Sequence, residues 1–241
     1  MKIMTRDLKV KKTLLQKIWE KYFPKYFRSA VKNLRILEKE YGHWRSAKAG
    51  MSVNQAGEPI PWFSYPATEY LNQLDLSDKN IFEYGSGNSS LYLARAAKKV
   101  ISVENNEHWY RIMSQKKPDN LDLKFIADSG QFVAEIRNHG KFDVIIIDSD
   151  PIATRFSAAA LAPDYLNEGG FIILDNSSWF HGAAKILRGA GLIQVDFTGF
   201  APIIGYTTTT SFFLRRDFNF RPKYSEQPIR GIGSLAHDLK S

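Results

Sequence analysis

Acidic and amide side chains recur through the middle of this 241-residue chain, each at the end of a short apolar run. The first run ends in Phe82-Glu83-Tyr84-Gly85-Ser86-Gly87-Asn88-Ser89-Ser90. Two glycines two positions apart permit a tight turn and let the backbone approach a ligand closely. Asn88 and Ser89 open what reads as a helix, whose first N–H groups have no partner within the helix and are free for a ligand. A third glycine or alanine would complete a pyrophosphate-binding fingerprint, but Ser90 stands in that place. Glu83 suits a cationic, amino-acid-bearing ligand better than a pyrophosphate. Glu104 ends the second run, 21 positions after Glu83, where a carboxylate commonly accepts both hydroxyls of a ribose. Asp128 follows the third run, and capping the next helix is an equally good use for it.

Two more apolar runs end in Asp148 and in Asp175-Asn176, 27 residues apart. If the runs are adjacent parallel strands, about 4.8 Å apart, the three side chains converge on one rim. Two carboxylates and an amide carbonyl are hard oxygen ligands, suited to Mg²⁺, Mn²⁺ or Ca²⁺. A metal held there would bind a substrate hydroxyl, lower its pKa and align it. Without a metal, Asp148 or Asp150 is the candidate base. His181, a few residues beyond Asn176, is the nearest imidazole, although capping or surface exposure is an equally ordinary use for it.

These residues need elements to place them. From residue 79 onward strand and helix patterns alternate. Strands are expected at 81–84, 100–104, 121–127, 142–148, 171–175, 192–197 and 208–214, with helices at 89–97, 107–116, 131–138, 153–166 and 180–189. Five such units predict a parallel, doubly wound α/β sheet with buried strands. The last two strands are joined without room for a helix, so the final strand must run antiparallel. Upstream, 13–41 reads as two helices separated at Pro24, and 46–60 as a linker or loop. The chain thus divides into a basic helical extension (1–60), a core (61–214) and a tail (215–241).

The order Glu83-x-Gly85-x-Gly87 after a first strand, Glu104 after a second and Asp128 after a third resembles the class I S-adenosylmethionine-dependent methyltransferases. The resemblance covers about residues 62–214 and implies a Rossmann-like seven-stranded fold. It implies that Gly85 and Gly87 pass the methionine part of the cofactor and that Glu104 holds the ribose. It also puts Asp128 and Ser129 beside the adenine, with Asn105 flanking it. The run of motifs from Pro61-Trp62 and Tyr65-Pro66 onward is similar to bacterial methyltransferases found with glycan and secondary-metabolite genes, in which that segment covers the cofactor. Asp148, Asp175 and Asn176 resemble the metal site of catechol-type O-methyltransferases. Those enzymes carry a lysine base three residues after the first Asp, and here that residue is Pro151.

Composition narrows the classes. There is no cysteine, so disulfides, thiolate metal sites and cysteine nucleophiles are excluded. The net charge of +8 is concentrated: residues 1–60 carry 14 Lys and Arg against 5 Asp and Glu, the remainder 19 against 20. That distribution argues against a nucleic-acid groove along the whole protein, and Asp148-Ser149-Asp150-Pro151 lacks the aromatic motif used to hold a flipped base. Residues 9–35 mix Lys and Arg with five aromatics, a pattern that can lie on an anionic membrane, cover the core or form a dimer contact. The expected protein is cytoplasmic, soluble or peripheral to the inner membrane face. It would methylate a hydroxyl of a small molecule or glycan. A metal-independent N- or carboxyl-methyltransferase, a dehydrogenase and a non-catalytic membrane-surface binder are the alternatives. The acceptor side is expected near Trp179, Phe180, Phe200 and the 201–209 loop.

Overall fold

The computed structural model describes residues 13–235. Seven strands, β1 (Asn80–Tyr84), β2 (Lys99–Glu104), β3 (Leu121–Phe125), β4 (Phe142–Ile147), β5 (Leu166–Leu174), β6 (Ile193–Phe200) and β7 (Thr207–Leu214), form one sheet in the order β3-β2-β1-β4-β5-β7-β6. The first five pair in parallel, and β7 runs antiparallel to both β5 and β6. The antiparallel last strand is the expected one. The connection between β6 and β7 is a loop of six residues, too short to cross the sheet.

Nine α-helices accompany the sheet among the described residues: α1 (Leu14–Tyr22), α2 (Lys25–Lys39), α3 (His43–Ala49), α4 (Tyr65–Leu71), α5 (Asn88–Ala96), α6 (Glu107–Ser114), α7 (Ser129–Ala134), α8 (Ala153–Leu161) and α9 (His181–Gly189). Successive strand residues face opposite sides, and this sorts the core into two layers. Phe82 and Tyr84 of β1 pack with Phe132 of α7, Ala158 of α8 and Leu187 of α9. Ile81 lies on the other face with Leu91 and Leu93 of α5 and Met113 of α6. Each large apolar side chain so buried contributes about 1.5–3 kcal/mol relative to exposure. Glu83 has the parity of Ile81, so the strand itself aims it at α5.

The sheet places the site. Strand order reverses between β1 and β4, and the loops that leave their carboxyl ends diverge there, opening the crevice in which such sheets bind ligands. The Gly85–Gly87 turn follows β1 and Asp148 follows β4, so both flank that crevice.

Three findings revise the expected organisation. Residues 46–60 are not a linker: α3 runs to Ala49, flanked by Gly42 and Gly50 at φ 71° and 62°, and Val53 and Pro59 form a β-bridge. The Asn88 side-chain amide donates to the Ser52 carbonyl at 2.6 Å, which ties this segment to the glycine turn. The start of the tail packs on the core: Phe218 and Phe220 lie against Phe171, and the Asp75 N–H donates to the Arg221 carbonyl at 2.9 Å. By contrast α2 buries no residue. No helix among the described residues is long and apolar enough to cross a membrane.

Candidate functional site

Gly85 sits at φ +95°, and a Cβ added there would overlap the main-chain carbonyl of Asp148. The turn therefore needs glycine at this position on two grounds, conformation and space. Gly87 differs: its φ of 176° is extended and a Cβ would meet the Trp109 ring at 3.6 Å and Ser89 Oγ at 3.8 Å, both ordinary contacts. The Gly87 N–H donates to Ser90 Oγ at 3.1 Å. Ser90, in place of the third glycine, also donates to Glu83.

Glu83 is 1% exposed and accepts hydroxyl bonds from Ser89 at 2.5 Å and Ser102 at 2.6 Å as well as from Ser90. The carboxylate is thus sealed beneath the turn rather than presented to the crevice, which corrects its expected role as a direct counter-charge to the ligand. Burial pushes its pKa up to about 7, against the three hydroxyl bonds that favour the charged form. Asn88 and Ser89 both line the crevice, with the Ser89 hydroxyl donating to Glu83 and the Asn88 amide to the Ser52 carbonyl.

Glu104 borders the crevice. It accepts the Ser86 N–H at 2.9 Å, the Ser86 hydroxyl at 2.8 Å and the Asn106 N–H at 2.8 Å, so the turn and the second strand end are fixed to one carboxylate. The Trp109 indole N–H closes the same turn by donating to the Ser86 carbonyl. Asn105 donates to the Asp150 carbonyl. Asp128 caps α7, accepting the Gln131 N–H at 2.8 Å. Asp128 and Ser129 are exposed; Asp128 lines a separate open depression with Lys124, Phe125 and Gln131. Their expected place beside the adenine is corrected to this extent: the capping use has won, and neither residue reaches the main crevice.

At the ends of β4 and β5 the expected trio converges, but around a guanidinium. Arg155 of α8 is 8% exposed and pairs with Asp148 at 2.8 Å. Its Nε donates to the Ser149 carbonyl at 2.8 Å, and its Nη1 to the Asp175 carbonyl at 2.7 Å and to Asn176 Oδ1 at 3.3 Å. The Phe180 ring lies 4.5 Å below it. The Asp175 carboxylate points away, accepting the Thr210 hydroxyl at 2.5 Å. Burial, with the charge of Asp148 nearby, raises Asp175 to about 8. Burial also pushes Asp148 up, opposed by Arg155. Asn176 sits at φ 51°, a conformation that asparagine tolerates, and its amide donates to Thr208 at 3.1 Å. These residues do not fit a divalent cation: Asp148 Oδ1 and Asn176 Oδ1 face the charged guanidinium of Arg155, and Asp175 Oδ1 is hydrogen-bonded to Thr210. Among the described residues no group of three or more His, Cys, Asp or Glu is placed to hold a metal. His181 begins α9 on the exposed surface and borders neither cavity, so it is corrected as a candidate base.

Two connected hollows result. The larger, about 520 Å³, is lined by the Gly85–Gly87 turn, Glu104, Asp148, Asp150 and Trp109, and by Met51, Ser52 and Trp62 from upstream. The smaller, about 270 Å³, is walled by Trp62, Trp179, Ile204, Tyr206 and Thr208. Asp148, Arg155, Asn176, Trp62 and Trp179 border both. Trp62 covers the crevice as expected of its segment, whereas Tyr65 is buried, with its hydroxyl 3.1 Å from His43. Phe200 packs with His43 and lines neither hollow. Ile203, a β-branched residue at φ 73°, closes one side of the larger hollow. Arg155, Trp109 and Met51 were not foreseen. Arg155 was at hand as a basic residue near Asp148, but nothing in its spacing showed that it turns back across two strand ends.

No protein-family model matches the chain, and no curated protein is significantly similar to it in sequence. Solved structures do match. A candidate O-methyltransferase from Klebsiella pneumoniae is 16% identical and superposes with a TM-score of 0.51, the match covering 83% of this chain and 98% of that one. Precorrin-6y C5,15-methyltransferase from Geobacter metallireducens is 12% identical with a TM-score of 0.50, covering 62% of this chain and 86% of that one. At such identity the likeness is one of fold. This chain has the seven-stranded, Rossmann-like fold of class I methyltransferases.

Proposed function

We propose that this chain is an S-adenosylmethionine-dependent methyltransferase acting on a hydroxyl of a small molecule or sugar. The observation that carries the reading is the shared wall: a large hollow on the glycine turn and a small aromatic one meet at Asp148. The large hollow suits the cofactor. Gly85 keeps it clear of a side chain, and Glu104, Asp148 and Asp150 give it negative character toward a cationic ligand. Bound there, S-adenosylmethionine supplies an electrophilic methyl group on a positive sulfur. In this reading Glu104, which borders the hollow, takes the ribose hydroxyls. Trp62, Trp179 and Tyr206 offer flat apolar faces on which a sugar or phenol ring can stack. Asp148 borders both hollows and would accept the acceptor's hydroxyl proton, while the bound cofactor would supply the methyl group and keep the carbon–sulfur electron pair. Orientation across the shared wall does most of the remaining work.

The test is transfer of labelled methyl from S-adenosylmethionine to a panel of phenols, sugars, amines and carboxylic acids. Labelled ethers support the reading. Labelled amines or esters alone replace it with the N- or carboxyl-methylating alternative, and Asp148→Asn should depress turnover while leaving cofactor affinity within a few-fold.

A second proposal concerns the extension. Trp19 of α1, Phe23 between the helices and Phe27 of α2 are exposed and in contact, with ring centroids 4.2 Å apart (tilted) for the first pair and 5.3 Å (stacked) for the second. Lys21, Lys25, Arg28, Lys32, Arg35 and Lys39 accompany them; residues 9–12 of this basic stretch lie outside the described residues. Charge complementarity favours an anionic lipid surface over a second, equally basic copy of the arm. Co-sedimentation with phosphatidylserine-containing vesicles, lost in Trp19→Ala/Phe23→Ala, is the expected result. Binding absent at low salt, or a dimer that persists in both proteins, would overturn it.

A further inference from the structure

A cation belongs between the ends of β4 and β5, and the chain provides its own. All three nitrogens of Arg155 are engaged: Nε with the Ser149 carbonyl, Nη1 with the Asp175 carbonyl and Asn176 Oδ1, and Nη2 with Asp148 Oδ1. Two of these acceptors are main-chain carbonyls and cannot rotate away. Phe180 closes the face of the guanidinium at 4.5 Å, a favourable cation–π arrangement. Arginine stays charged at any physiological pH and presents a rigid planar fork, so the arrangement is a fixed positive charge in fixed geometry. A Mg²⁺ ion would need oxygens at about 2.0–2.1 Å and a Ca²⁺ ion at about 2.3–2.6 Å. Asp148 Oδ1 and Asn176 Oδ1 both face the guanidinium, so such an ion would have to displace a buried group and meet its charge.

We propose that Arg155 is a resident cation. Its guanidinium takes the place of a divalent ion at this rim, keeps such ions out and holds Asp148 toward the aromatic hollow. The consequence for turnover, metal-free methyl transfer with Arg155 as a positioning residue, rests on the function proposed above. The exclusion of divalent ions does not.

Mn²⁺ titration of the full chain, followed by electron paramagnetic resonance, tests the proposal without cofactor or acceptor. Wild type and Arg155→Lys should show no stoichiometric Mn²⁺ site. Arg155→Ala should gain one, through the freed Asp148 and Asn176 oxygens, and Arg155→Ala/Asp148→Asn should lose it again. Circular dichroism checks that each variant folds, and Arg155→Gln substitutes if the alanine variant does not. Stoichiometric Mn²⁺ in wild type that Asp148→Asn removes would overturn the proposal, as would folded Arg155→Ala or Arg155→Gln protein with no gain. In turnover, wild-type rates should be unchanged by EDTA, whereas a loss restored by Mn²⁺ would refute the metal-free consequence. If S-adenosylmethionine fails to bind while the Mn²⁺ results stand, the methyltransferase reading falls and the resident cation survives.

Discussion

Glu83 is a carboxylate cut off from water, and its pKa near 7 follows from that burial. A carboxyl whose pKa is about 4.5 when unfolded and about 7 when folded binds more protons in the native state between those values. The contribution of this group to stability is therefore full below the lower value and is lost as pH rises through the window, by at most roughly 3 kcal/mol. Urea midpoints at pH 5 and pH 8 should show a smaller loss in Glu83→Gln than in wild type, and an equal loss would contradict the assignment. The two glycines separate in the same way. Gly85→Ala should cost more than about 2 kcal/mol, from positive φ and overlap with the Asp148 carbonyl. Gly87→Ala should shift Tm by less than about 2 °C, because extended φ suits any residue. Thermal melts of both variants check the pair. The Gly-x-Gly spacing announced a turn but not which glycine the turn requires. Glu104 was legible because a strand end fixes its place, while Asp128 had a local capping partner in Gln131 that outcompeted the distant role.

The inner strands β1, β2, β4 and β5 were legible as buried apolar runs bounded by turn residues, whereas β6, at the sheet edge, is largely exposed; six of the seven begin and end within about three residues of their expected limits. β5 starts five residues early because Gly169-Gly170, which reads as a turn, lies inside the strand, with Gly169 at φ +72°. α3 and α4 were missed: each has seven residues and proline or glycine on its borders, too few for periodicity to speak. Both matter, since they carry the segment that roofs the crevice. β7 joins roof to rim through one hydroxyl: Thr210 Oγ1 accepts the Ser64 N–H at the start of α4 at 3.0 Å and donates to Asp175 at 2.5 Å. Thr210→Val keeps the shape and strands both buried partners, so it should cost about 2 kcal/mol. Chemical denaturation measures it, and a change below about 0.5 kcal/mol would mean that the two partners find other bonds.

On the scale of the whole molecule, charge and chemistry occupy different parts. The basic surplus sits upstream of the sheet in the sequence, and its described part includes α2, which buries no residue, while the crevice is bounded by carboxylates around one internal arginine. Overall charge pointed to the first part, and the strand ends pointed to the convergence of Asp148 with Asn176, but only the folded sheet shows that Arg155 lies between them. The division at residue 60 likewise gives way in three dimensions, since Met51 and Ser52 belong to the crevice wall. The account rests on that crevice being a cofactor site. The most direct measurement is calorimetric titration of S-adenosylmethionine, and of its demethylated product, into wild type and Glu104→Ala, each in Mg²⁺ and in EDTA. Micromolar binding to wild type, equal in the two conditions and weakened at least tenfold by Glu104→Ala, is predicted. No binding to wild type, or binding that Glu104→Ala leaves unchanged, would contradict it.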